Sequence, residues 1–145
     1  MSIEPLTNDN LKHLTKLVLE LWTDCVFEEE LGDYKSIIGS EKEVCYLVVG
    51  EHEYIGFIHV TIREDYVEGA TELPIAYIEG IYVKENYRNR GVAKELVNTA
   101  ENWAKHRGCK QLASDTEITN SASIDFHKKI GFSEAARIVC FVKNL

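Results

Sequence analysis

The chain has 145 residues, 45% of them hydrophobic, with only 2 prolines and 9 glycines, a composition that predicts one packed globular domain over residues 1–145 and excludes a disordered or low-complexity polypeptide. Twenty-four acidic against 16 basic residues leave a net charge of −8, which argues against nucleic acid or an anionic membrane as a partner and is compatible with a cationic small molecule. The charge is uneven: residues 1–82 hold 5 Lys/Arg and 17 Asp/Glu, whereas residues 83–145 hold 11 and 7. Cys25, Cys45, Cys109 and Cys140 form no C-x-x-C pair, so reduced thiols are expected rather than a zinc site or a disulfide framework. His13, His52, His59 and His106 show no ligand spacing, and no metal is expected. Met-Ser-Ile-Glu-Pro is not a leader-like start and no apolar run approaches the ~18 residues of a membrane span, so a cytoplasmic protein is expected.

In chain order, a short strand is predicted at Ile3–Leu6, followed by a helix capped by Thr7 or Asn8 with Leu11, Leu14, Val18 and Leu21 on one face and Trp22 at its end. A second helix, from about Phe27 to Ile38, carries Glu28, Glu29, Glu30 and Asp33 and stops at Gly39. Val44–Val49 and Tyr54–Ile62 read as an antiparallel hairpin around Gly50–Glu53, and Ile75–Val83 as a third long strand. Val92, Ala93, Leu96, Val97, Ala100, Trp103 and Ala104 trace the apolar face of a helix ending at Gly108, ahead of a strand at Gln111–Thr116. Residues 75–116 therefore form a right-handed strand–helix–strand unit with parallel strands. A helix from Asn120 to Ile130 and a last strand at Glu134–Val142 complete a mixed α/β sheet with flanking helices.

Two features of the third strand and its loop carry chemistry. Glu79 interrupts the apolar run Ile75–Val83, where an unpartnered carboxylate would cost several kcal/mol; it reads either as an active-site carboxylate or as half of a buried ion pair. Gly80 beside it marks a bulge or a close approach to a neighbour. After the strand, Arg88, Asn89, Arg90 and Gly91 open the next helix, where backbone N–H groups and the helix dipole can receive a pyrophosphate. The loop is neither G-x-x-x-x-G-K-S/T nor G-x-G-x-x-G. Asp115 closes the strand after the crossover helix, as a ligand-facing acid or a turn residue ahead of Asn120. His127 shares a helical stripe with Asn120 and Ser123.

Arg88-x-x-Gly91-x-Ala93, followed by Asn120-x-x-Ser123-x-x-Phe126-His127-x-x-Ile130-Gly131-Phe132, resembles the acetyl-CoA motifs of the GCN5-related N-acetyltransferase (GNAT) superfamily. Leu21-Trp-Thr-Asp-Cys25, Arg63-Glu-Asp-Tyr-Val-Glu-Gly69, Glu79-Gly-Ile81 and Ala113-Ser-Asp-Thr116 are similar, over nearly the whole chain, to its aminoglycoside 6'-N-acetyltransferase branch. The resemblance implies a GNAT-type, mostly antiparallel sheet with a central parallel βαβ unit. It also implies transfer of acetyl from acetyl-CoA to the 6'-amine of an aminoglycoside, by a protein usually found as a homodimer.

By the same resemblance, pantetheine lies along Ile81, Tyr82 and Val83, and the pyrophosphate on the loop that includes Arg88 and runs through Asn89, Arg90, Gly91, Val92, Ala93 and Lys94. Asn120 contacts the cofactor, and Trp22, Tyr66, Glu79 and Asp115 contact the antibiotic. His127 stands where many members carry a tyrosine that protonates the departing thiolate. Glu79 is the expected general base, directly or through water, and a backbone N–H near Ile81 meets the developing oxyanion. Ala136 stands where the branch has an acid and Cys140 where a tyrosine is common, which keeps other amines open as acceptors: a polyamine, a small metabolite or a protein N-terminus. A non-catalytic acetyl-CoA-binding module is the reading outside enzymology.

Overall fold

A computed structural model describes all 145 residues. The elements are β1 (Ser2–Pro5), α1 (Leu11–Leu21), α2 (Phe27–Lys35), β2 (Glu43–Val49), β3 (Tyr54–Arg63), β4 (Ile75–Val83), a short 3₁₀ turn (Glu85–Tyr87), α3 (Val92–His106), β5 (Leu112–Ala113) and α4 (Ser121–Lys129). The sheet runs in chain order, β1 to β5, antiparallel throughout except for the parallel pair of β4 and β5, with α3 as the crossover. In the single chain that parallel pair forms one edge of the sheet. No helix is long and apolar enough to cross a membrane.

Alternation along the strands sorts the core into two layers. Cys45, Leu47 and Phe57 face α1 and α2, meeting Leu14, Leu17, Val18 and Tyr34. Val48, Ile58, Val60, Ala76 and Ile78 face α3, meeting Leu96, Val97, Ala100 and Ala104. Both helical stripes bury most of the residues that the 3.6 period singles out, with Leu21, Ala93 and Trp103 half-buried at the margins. The N-cap position of α1 is Asn10 rather than Thr7 or Asn8, and its amide, 3% exposed, makes no bond to the helix but turns back, accepting from the Thr7 N–H and donating to Glu4 and to the Pro5 carbonyl.

Two expectations fail at the C-terminal end. β5 is two residues long instead of the six of Gln111–Thr116, and Glu134–Val142 is not a strand at all. A strand needs a neighbour for its ladder, and residues 133–145 pair with none in the chain. Ile138, Val139, Phe141 and Val142 are therefore exposed.

β4 is irregular where it matters. His59 faces Gly80 and Val60 faces Ile78, so Glu79 has no partner on β3 and forms a bulge. Before it, even-numbered Ala76 and Ile78 face α3; after it, odd-numbered Ile81 and Val83 do, while Tyr82 joins the α1 side. Glu79 and Gly80 both fall on the α1 side, where Gly80 lies under Trp22: a Cβ there would sit 2.6 Å from the tip of the indole.

Candidate active site

The bulge aims the Glu79 carboxylate at the α1 face of β3, where it meets Thr61 and Arg63. The Arg63 Nε donates to Oε1 at 3.1 Å, its Nη2 to Oε2 at 2.9 Å, and the Thr61 hydroxyl to Oε1 at 3.3 Å. These donors offset the desolvation of a carboxylate only 23% exposed, so the cost anticipated for Glu79 is met by an ion pair. The Arg63 guanidinium lies over the Tyr77 ring, 3.6 Å from its centroid, and the Tyr77 hydroxyl donates to Asp115. Burial, and after it this hydrogen bond, pushes the Tyr77 phenol well above its usual value, so it stays a donor. Glu79 and Asp115, 36 positions apart in the sequence, are joined through Arg63 and Tyr77.

Asp115, Tyr66, Arg63, Tyr77 and His127 line one open cleft of about 1800 Å³. Tyr66 is 77% exposed at its rim and Trp22 is 39% exposed. Trp22 and Glu79 are not among the residues lining this cleft; Glu79 connects to it through Arg63, and Trp22 lies against Gly80 beside Glu79. The His127 ring is held at both nitrogens: Nδ1 donates to the Ser123 carbonyl at 2.7 Å and Nε2 lies 2.8 Å from the Ser114 hydroxyl. The expected stripe of Asn120, Ser123 and His127 is present, with the Asn120 side chain accepting from the Ser123 N–H as the cap of α4.

On the α3 side, Asn89 has φ 61° and Gly91 φ 81°, two left-handed residues in three that turn the chain sharply into α3. The first helical bond runs from the Glu95 N–H to the Gly91 carbonyl, which leaves the N–H groups of Val92, Ala93 and Lys94 without helical acceptors. A Cβ on Gly91 would meet nothing within 4 Å, so the approach to these donors is open, as an anionic diphosphate requires. The arginines support this loop rather than stand free: the Arg88 Nε donates to the Val83 carbonyl at 2.7 Å, and Arg90 lies 5.7 Å over Tyr87. Lys84 instead reaches Glu20 and Glu53, at 3.8 and 3.6 Å.

β4 pairs with β5 only at Ala76–Leu112 and Tyr77–Ala113, so beyond Tyr77 its edge through Ile81, Tyr82 and Val83 faces no strand on that side. An amide-bearing chain can add to such an edge. The residues present therefore fit coenzyme A: an open strand edge for its pantetheine arm and a turn rich in free N–H groups for its phosphates. No group of His, Cys, Asp and Glu side chains has the geometry to hold a metal ion.

Arg63, Tyr77, Thr61 and Ser114 were not anticipated as functional positions. Arg63 and Thr61 share a face of β3 by the two-residue period, but their meeting with Glu79 depends on the register of β3 against β4 and on the bulge.

A family model described as acetyltransferase (GNAT) family matches residues 9–132. The aminoglycoside N(6')-acetyltransferase type 1 of Salmonella enteritidis is 32% identical over 144 residues, 99% of each chain, and that of Serratia marcescens is 35% identical over 139 residues, 95% of each. The solved structure of AAC(6')-Iy in complex with the bisubstrate analogue CoA-S-monomethyl-acetylneamine superposes with a TM-score of 0.95 at 31% identity, covering 99% of this chain and 98% of that one. The apo 6'-N-acetyltransferase AAC(6')-IG from Acinetobacter haemolyticus gives 0.92 at 32%, covering 100% and 99%. The chain belongs to the GNAT acetyltransferases, in their aminoglycoside 6'-N-acetyltransferase branch.

Proposed function

We propose that the protein, as one acetyltransferase domain over residues 1–145, transfers the acetyl group of acetyl-CoA to the 6'-amine of aminoglycoside antibiotics. The observation that carries this reading is that β4 presents an open strand edge beside a bulge that aims Glu79 at the opposite face, next to a cleft holding Asp115. Acetyl-CoA supplies the thioester. The edge at Ile81, Tyr82 and Val83 receives the pantetheine amides, the turn from Arg88 to Lys94 receives the phosphates, and Asn120, the cap of α4, contacts the cofactor. The acceptor enters from the Trp22 and Tyr66 side, where Asp115 binds an ammonium group.

For transfer, the amine must lose a proton, the N–C bond form and the C–S bond break, and the sulfur take up a proton. Glu79, directly or through a water, takes the amine proton. When its ring carries a second proton on Nε2, His127 returns that proton to the sulfur side through the Ser114 hydroxyl, and the proton held by Glu79 passes to solvent. Holding both substrates against one strand supplies much of the acceleration by positioning.

Two finer points belong to the same reading. The protein is a homodimer: the exposed apolar tail Ile138–Val142 and the open edge of β5 support a second copy as partner. It works in the cytoplasm, which its free cysteines, Cys45 and Cys109 buried among them, suit.

Release of CoA thiol is the test, with kanamycin, an aminoglycoside bearing a hydroxyl at 6', and spermidine as acceptors. Turnover of kanamycin alone is expected, and Glu79→Gln should lower kcat by about 10²-fold or more. No turnover of any aminoglycoside overturns the reading. Turnover of spermidine alone makes the protein an acetyltransferase of another amine, the alternative that Ala136 and Cys140, both on the wall of the cleft, keep in view.

A further inference from the structure

Glycine weakens the interior of a strand, so Gly80, buried in the middle of β4, calls for a physical reason. Its backbone supplies none, because left-handed φ values occur at Gly39, Gly69, Gly91, Gly108 and Gly131 but not at Gly80. The space above it does. A Cβ on Gly80 would stand 2.6 Å from Cη2 of Trp22, 3.4 Å from Cζ2 and 3.5 Å from Cζ3, all atoms of one edge of the indole. The backbone that carries this ring is fixed against β4. The Trp22 N–H donates to the Val18 carbonyl at 2.8 Å, and the Trp22 carbonyl accepts from the Cys25 N–H at 3.2 Å. Glu20 ties the last turn of α1 to β4, accepting from the Tyr82 hydroxyl at 3.2 Å with Lys84 3.8 Å away. With its backbone held, the ring is stopped only by the strand beneath it, and 39% of Trp22 remains exposed.

We propose that Gly80 is a positioning residue: its missing side chain seats the Trp22 indole on β4, at the depth where the ring forms the wall of the acceptor site beside Glu79. The inference rests on the reading that the acceptor enters from the Trp22 side. What gives way to an added methyl decides between a role in the fold and a role in the site. At Gly56 a Cβ meets the Tyr82 carbonyl oxygen, a backbone atom, so the cost falls on stability. At Gly80 it meets the far edge of a side chain that can turn about its own torsions, so the fold loses little, and the smaller entropy of the unfolded chain offsets part of that loss. The indole edge, however, has to rise by about 1 Å to regain ordinary contact distance, and any group packed on the ring moves with it. Gly56 therefore serves the packing of two strands, and Gly80 the place of one ring.

The test follows CoA release with kanamycin in the native protein, Gly80→Ala, Trp22→Ala and the double variant, together with the Tm of each. Gly80→Ala should raise KM for kanamycin about 3- to 10-fold, the scale of one aromatic contact. Its kcat and its KM for acetyl-CoA should stay within about twofold of native, and its Tm should fall less than that of Gly56→Ala. The double variant should match Trp22→Ala within about twofold, since Gly80 acts through the indole alone. The chain has 2 tryptophans, so Trp103→Phe leaves Trp22 as the only indole; in that background Gly80→Ala should shift the fluorescence emission to the red as the ring lifts into water. A native KM in Gly80→Ala where Trp22→Ala raises it overturns the proposal, as does a fall in kcat with KM unmoved, which would assign Gly80 to the bulge and to Glu79. Additive losses in the double variant overturn it too, and so does a loss of Tm or of folding as large as that of Gly56→Ala. A native KM in Trp22→Ala removes the proposal together with the acceptor-side reading of Trp22. If the native protein turns over no aminoglycoside, the proposed function fails, and the emission alone decides whether Gly80 seats the ring, an unshifted spectrum being the result against it.

Discussion

Glu4 accepts hydrogen bonds from the Tyr54 hydroxyl at 2.6 Å and the Asn10 amide at 3.0 Å, and these donors, Tyr54 first, hold its carboxyl below the usual value. A carboxyl lowered in the folded chain contributes stability that is fully present above its unfolded value of 4.5 and is lost as pH falls through the folded value. Glu4→Gln should therefore unfold at lower urea than the native protein at neutral pH, with the gap closing as the pH is lowered below 4.5; a gap independent of pH would remove the carboxylate from this role. The same local chemistry limits what one residue reveals in sequence. Glu79 is conspicuous because it breaks an apolar run, and its need for a partner follows from desolvation alone. Which partner it finds does not, because Arg63 lies 16 positions away and is delivered by strand register.

At the scale of elements, the helices were readable because a 3.6-residue stripe is a local property: Leu11, Leu14 and Val18 in α1, and Leu96, Val97 and Ala100 in α3, are buried as their spacing predicts. The strands were readable as far as their partners lie beside them in the chain, as in the hairpin of β2 and β3. Glu134–Val142 has strand composition, but composition cannot provide a ladder. The packing of β3 on β4 gives a sharper expectation. Gly56 faces Val83, and a Cβ at Gly56 would stand 2.6 Å from the Tyr82 carbonyl oxygen, a backbone atom that cannot rotate away. Gly56→Ala should thus cost about 1–3 kcal/mol by overpacking, visible as a fall of several degrees in Tm; an unchanged Tm would mean that the two strands can part at no cost.

For the whole molecule, the charge is uneven along the chain, and the fold mixes the two parts in space. Asp115 comes from the basic part and Arg63 from the acidic part, yet both line the same cleft. The C-terminal tail is the other whole-molecule feature, since its apolar side chains find no place within one copy. A chain ending at Arg137 should sediment as a monomer where the full chain sediments as a dimer; equal masses would end the proposal of a homodimer through this tail. The bulge on β4 reaches furthest. It is one extra residue in one strand, and it alone sets the phase between the side chains before and after it. Deleting Glu79 or Gly80 would restore plain alternation and leave Ile81 and Val83 toward α3 and Tyr82 toward α1, yet it would remove one of the two successive residues that the bulge turns to the α1 side, either the carboxylate or the glycine that makes room for Trp22. A deletion at the bulge therefore costs the site before it costs the core, because the strand carries there one residue more than its apolar pattern needs.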